Sequence, residues 1–174
     1  AGLETGFPTT GEIRSVVILA AFSDVGFTVP DPQRAFERML NEEGYSDNGA
    51  LGSARDYYLD NSGGRFRPTF DVVGPVTLDH PVAYYGANTD YRDENAERMI
   101  IEACRKAERA GVDFSQYDFD NDGKIDNVFV YYAGHNESDG GGMNTVWPHR
   151  GEISYPGEML GGKELCVYCL LYTS

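Results

Sequence analysis

Between residues 118 and 126 the chain reads Asp118-Phe-Asp120-Asn-Asp122-Gly123-Lys124-Ile-Asp126, which puts four carboxylates at positions 1, 3, 5 and 9 of one short loop. Side chains at alternate loop positions converge on a single point, and Gly at position 6 permits the sharp turn this requires. Calcium takes about six to eight hard oxygen donors, and Lys124 at position 7 would add its backbone carbonyl. Asp, Asn and Gly also dominate ordinary solvated turns. Carboxylates packed this closely repel one another, however, unless a cation lies among them. The expected ligands of one calcium ion are therefore Asp118, Asp120, Asp122, Lys124 and Asp126. Position 12 is Phe129, not the bidentate Glu of an EF-hand, and the loop leads into a β-type run rather than a second helix. The loop must sit on a different scaffold, at the mouth of a strand over residues 127–134.

The rest of the chain supplies that scaffold. Residues 13–22 form a β-branched apolar run of the kind buried on both faces of a sheet, and they predict the first core strand. Asp31-Pro32 is an N-cap followed by a first-turn proline; Ala35, Phe36, Met39 and Leu40 recur on one face until Gly44, giving a short amphipathic helix. Ser53-Ala-Arg-Asp56 is a capping box with Asp in place of Glu and opens a second helix through Asp60. Residues 66–78 are extended but punctuated by Pro68 and Gly74-Pro75, which suits an edge or bent strand. The clearest helix starts near Asp93 or Glu94, with Ala96, Met99, Ile100, Ala103, Cys104 and Ala107 along one stripe. Cys104 in that stripe reads as a buried small hydrophobe. Residues 138–142 predict a floppy loop, and no internal repeat is present.

Composition narrows the function. With 41% hydrophobic and 13% aromatic residues, the 174-residue chain is globular and fits one ordinary domain. Its formal net charge of -14 repels phosphate backbones and anionic lipid alike, so nucleic-acid and membrane partners are not expected. No apolar run approaches the ~18 residues of a membrane span. The chain begins with Ala1 rather than Met, as expected where a leader has been removed. Three cysteines, Cys104, Cys166 and Cys169, are too few and too odd for a disulfide framework. Cys166 and Cys169 have knuckle spacing, but a zinc site needs two more ligands and no second pair exists. The three histidines are followed four residues later by Tyr84 (after His80), Asp139 (after His135) and Ile153 (after His149), so there is no His-x-x-x-His. Neither a Gly-x-Ser-x-Gly elbow nor a phosphate loop appears.

Several segments in order resemble the bacterial secreted metalloproteases related to immune inhibitor A: Ser53-Ala-Arg-Asp-Tyr-Tyr58, Ser62-Gly-Gly-Arg-Phe66, Phe70-Asp-Val-Val-Gly-Pro75, Tyr84-Tyr-Gly86, the Asp-rich loop running into Val128-Phe-Val-Tyr-Tyr-Ala-Gly134, and Asn144-Thr-Val-Trp-Pro-His149. The resemblance runs from about Arg14 to Arg150. It implies an α/β (α+β) fold, a zincin-like upper subdomain with a twisted mixed sheet and backing helices. It also implies an extracellular zinc peptidase acting on proteins or peptides, with the substrate along an edge strand. In that family the zinc ligands and general base lie on a His-Glu-x-x-His helix downstream of a segment like Trp147-Pro-His149, and this chain contains no such motif.

The expected organisation is a linker over 1–12, a partial catalytic domain over 13–165, and a truncated or non-native tail over 166–174, where the resemblance ends. On this reading calcium binds to this chain, zinc belongs to the full-length protein, and the remaining partner is the rest of the same catalytic domain. The isolated fragment is expected to be inactive. The alternative is a non-catalytic, calcium-stabilised extracellular binding module, since fold does not guarantee function.

Overall fold

The computed structural model describes residues 11–86, 94–134, 149–153 and 157–173. In chain order they form β1 (Gly11–Ala21), α1 (Pro32–Asn41), α2 (Ala54–Asn61), β2 (Phe66–Thr77), α3 (Val82–Tyr85), α4 (Glu94–Arg109), β3 (Val128–Ala133), β4 (His149–Glu152), β5 (Met159–Leu160), β6 (Lys163–Glu164) and β7 (Val167–Thr173). Single 3-10 turns lie at Asp47–Gly49 and Phe114–Tyr117.

Five strands make one sheet in the order β2-β1-β3-β7-β4. The first four run parallel and β4 runs antiparallel to β7, so the sheet is mixed and the domain belongs to the α/β class expected. β1 is an interior strand, flanked by β2 and β3, which explains its unbroken apolar run: Val16, Ile18 and Ala20 face one side and Val17 and Leu19 the other, all essentially without exposure. On the first side they meet Met99, Ile100, Ala103 and Cys104 of α4. On the second they meet Phe36 and Leu40 of α1. The sheet is thus sandwiched between helices, and the α4 stripe read from periodicity is the seam of the larger core.

Local signals act as expected. Asp31 accepts from the Arg34 amide at 3.4 Å and starts α1 ahead of Pro32. Ser53 and Asp56 form the reciprocal capping box of α2, and Asp56 also accepts from the Gly44 amide at 2.8 Å, tying α2 to the chain leaving α1. The edge-or-bent reading of residues 66–78 is met by β2, which lies at one edge and shifts register against β1 between Ile18 and Ala20. The shift sits at Gly74, whose φ of +97° and close approach to the Leu19 carbonyl leave no room for a side chain.

Two segments differ from expectation. Gly11 and Glu12, assigned to the linker, already pair with Phe66 and Arg67, because Glu12 stands outward in the same alternation that buries Ile13; residues 1–10 lie outside the described residues. Residues 167–173, assigned to the tail, form β7 and fill the sheet between β3 and β4, where Tyr168 and Leu170 are buried. The expected loop at 138–142 lies outside the described residues.

Candidate metal centre

The acidic loop is anchored at both ends before its carboxylates come into play. Just ahead of it, buried Phe114 and Tyr117 stand on the 3-10 turn, and the Tyr117 hydroxyl donates to Asp71 Oδ2 at 2.9 Å. Near its far end Ile125 enters the core at 1% exposure. The Asp126 amide donates to the Tyr117 carbonyl at 2.9 Å and closes the base. Asn121 (φ 54°) and Gly123 (φ 87°) take the left-handed conformation that lets the chain double back, the role expected of Gly at position 6.

This geometry brings Asp118, Asp120, Asp122 and Asp126 together: one oxygen from each lies within 4.8 Å of the others. Several of their remaining oxygens shape the loop. Asp118 accepts from the amides of Asp122 (3.1 Å) and Gly123 (2.9 Å), Asp122 from that of Lys124 (2.9 Å), and Asp126 from that of Phe119 (2.6 Å). The flanking hairpin β5–β6 uses the Gly123 carbonyl, which accepts from the Glu164 amide at 2.8 Å, and the Ile125 amide, which donates to the Glu164 carbonyl at 2.9 Å. The Lys124 carbonyl between them is not used by the hairpin.

The carboxylates are electrostatically unequal. Burial pushes Asp126 up to about 6, and the charges of Asp120, Asp118 and Asp122 push the same way against the Phe119 amide. Burial also acts upward on Asp118, but the Lys163 ammonium and the amides of Gly123 and Asp122 outweigh it and hold this group at about 2. Lys163 Nζ lies 2.9 Å from Asp118 Oδ2, and the Asp118 side chain is fully buried. Sequence reading missed Lys163, which stands 45 residues from its partner on a two-residue strand with no periodicity to mark it.

Four carboxylates with one oxygen each inside 4.8 Å are crowded hard donors, which suit a divalent cation such as calcium. A further sign is Asn127, which follows Asp126: it is 8% exposed, and its Oδ1 is buried with no hydrogen-bond partner. Zinc does not fit these residues, because among the described residues the cluster contains neither His nor Cys. His80 stacks on the Tyr84 ring at 4.0 Å on the exposed side of α3. His135 lies outside the described residues, and His149 contributes backbone to β4. Cys104 is buried in the core, and burial holds its thiol strongly protonated. Cys166 and Cys169 are not joined by a disulfide, and the Cys169 backbone pairs across the sheet with Phe129 and Arg150.

Comparison with known proteins matches residues 31–167 to the family model described as the immune inhibitor A peptidase M6 catalytic domain. The pre-pro-metalloprotease PrtV of Vibrio cholerae serotype O1 is 26% identical over 141 residues, covering 69% of this chain and 15% of the relative. Immune inhibitor A of Bacillus thuringiensis subsp. alesti is 27% identical over 139 residues, covering 66% of this chain and 20% of the relative. The chain thus spans a fifth or less of the length of these relatives. No helix among the described residues is long and apolar enough to cross a membrane. With most of its length, from α1 to the start of β7, matched by the model, this chain belongs to the immune inhibitor A family of M6 peptidases.

Proposed function

We propose that this chain is part of the catalytic domain of a secreted zinc metalloendopeptidase that hydrolyses peptide bonds in proteins, and that it supplies the sheet and a calcium-stabilised loop rather than the zinc ligands. The observation that carries this reading is the match of residues 31–167 to a peptidase catalytic domain in a sequence that contains no His-x-x-x-His pair. Zinc at such a site would activate water for attack on a carbonyl, and its ligands must come from another part of the full-length protein. Among the described residues, β4 has a strand neighbour on one side only, so its other edge offers backbone donors and acceptors to an extended peptide. The substrate class and the edge-bound mode agree on that strand.

The loop's role is structural. One calcium ion held by Asp118, Asp120, Asp122, the Lys124 carbonyl and Asp126 would fix where β3 enters the sheet. Two measurements test the proposal. Purified chain incubated with casein and zinc is expected to leave the casein intact; chelator-sensitive cleavage would mean a composite site among His80, His135 and His149. Thermal melts in calcium and in chelator should differ, by about 2.7 kcal/mol at a hundredfold excess of calcium over the dissociation constant. Magnesium should help less, since its small octahedral shell fits a many-oxygen loop poorly. The response should disappear in an Asp120→Ala, Asp122→Ala double variant. Identical melts of the parent in both conditions would reduce the loop to an acidic turn.

A second reading is a non-catalytic, calcium-stabilised extracellular module, supported by a carboxylate cluster whose four members all lie within this chain, while the sequence contains no His-x-x-x-His pair. Extending the source reading frame past residue 174 separates the two, since a His-Glu-x-x-His motif there supports the peptidase.

A further inference from the structure

We infer that Lys163 is a resident cation of the acidic loop, a built-in counter-ion that holds Asp118 and keeps the loop closed against the β5–β6 hairpin independently of any metal. The hairpin delivers it by a tight turn: Gly161 (φ +57°) and Gly162 (φ +78°) connect β5 to β6, and Gly161 sits so close to the Ser115 amide that a Cβ would come within 2.9 Å of it. The Gly161 amide also donates to Glu108 at the end of α4, at 2.9 Å. Seated this way, Lys163 places its ammonium 2.9 Å from Asp118 Oδ2 and 2.9 Å from Asn121 Oδ1, at loop positions 1 and 4.

The energetics follow from burial. A fully buried carboxylate is costly unless it is paired and hydrogen-bonded, and two amides plus an ammonium meet that need for Asp118. An ammonium has three donors and no acceptor, so it can bridge two oxygens without imposing a fixed fork geometry. The backbone pairs of Glu164 with Gly123 and Ile125 flank the contact, and the hairpin and loop behave as one unit. Asp120, Asp122 and Asp126 have no ion pair with the described residues, which divides the loop between two kinds of cation: an ammonium on Asp118 Oδ2, and a divalent ion on those three carboxylates and the remaining Asp118 oxygen. That division rests on the calcium reading above; the resident role of Lys163 does not.

The test compares thermal melts of the parent, Lys163→Met, Lys163→Arg and Asn121→Gly chains, each in chelator and in calcium chloride. In chelator, Lys163→Met is expected to melt about 3–6 °C below the parent, as loss of a partner to a buried charge predicts for a chain of this size. Lys163→Arg should stay close to the parent because it keeps the charge. Asn121→Gly keeps the left-handed backbone at φ 54° while removing the second contact, and it should fall less than Lys163→Met, which keeps the test readable if Lys163→Met fails to fold. Calcium should raise Lys163→Met more than it raises the parent. If Lys163→Met melts with the parent in chelator, the resident cation is overturned. If it falls in chelator but no chain responds to calcium, the resident cation stands and the calcium reading fails.

Discussion

The two flanks of the sheet are finished by different chemistry. At the β2 flank the edge is closed by neutral side chains: Asn41 of α1 donates to the Phe70 carbonyl and accepts from the Phe70 amide, both at 2.8 Å, and Gln33 donates to the Val72 carbonyl at 3.1 Å. These two amides imitate a neighbouring strand and occupy groups that would otherwise recruit one. Toward the other flank the acidic loop and the β5–β6 hairpin are joined through the Lys163–Asp118 ion pair, and β4 keeps its outer edge without a strand among the described residues. A closed edge and an open edge on one sheet separate the side that must not associate from the side proposed to receive a peptide.

The largest effect should come from the closed flank. Gly74→Ala places a Cβ 2.8 Å from the Leu19 carbonyl at a positive φ, and it is expected to cost about 3 kcal/mol in chemical denaturation. A wild-type midpoint would show that β2 does not need its bulge. Asn41→Leu should cost about 2 kcal/mol by leaving both Phe70 groups unpaired, and should make the chain self-associate with concentration in sedimentation. A variant that stays monomeric and stable would show that the amide closure is idle.

The charged flank should respond to pH where the neutral one does not. Asp126 holds its proton to about 6 when folded, against an ordinary value near 4. The folded chain therefore binds more protons than the unfolded one between these values, so stability in chelator should fall as pH rises from 4 to 6. Asp118 works in the opposite sense, its contribution being present above pH 4 and lost toward pH 2. Stability without calcium should peak near pH 4, and the Asp126 limb should amount to about 1 kcal/mol after solvent screening. On the proposed calcium reading the ion would compete with the Asp126 proton, so its stabilising effect should fade below pH 6; a flat profile in chelator would remove the charge asymmetry between the flanks.

The smallest effect belongs to Arg14, which pairs with Asp71 at 2.8 Å from a side chain that is 62% exposed. Arg14→Gln should shift stability by less than about 0.5 kcal/mol, measured in the same denaturant series. A larger loss would mean that the Tyr117–Asp71 contact depends on it.

What could be read from the sequence was local chemistry. The capping box at Ser53, the proline-started α1, the stripe of α4 and the carboxylate spacing of the loop all concern residues within one or two turns of each other, and the structure places each of them accordingly. What could not be read depended on distant partners. Lys163 is one ordinary lysine until the hairpin folds back by 45 residues. Asn41 looks like the polar end of a helix until β2 comes alongside it, 29 residues later. Residues 167–173 carry no family motif, yet alternation of Tyr168 and Leu170 inward is enough to make a strand once β3 stands ready to pair.

The order β3-β7-β4 also has a consequence in time. Among the described residues β4 pairs with the sheet only through β7, which comes later in the chain, so β4 lacks its strand partner until the polypeptide has emerged beyond residue 173. At about 5–20 residues per second of synthesis, that is a wait of one to several seconds. During it, β3 presents a bare row of backbone groups that a neighbouring nascent chain could occupy. The outward-facing strand is the last of these five to join the sheet, and a ribosome that stalls ahead of Val167 holds out a sheet whose growing edge is still sticky.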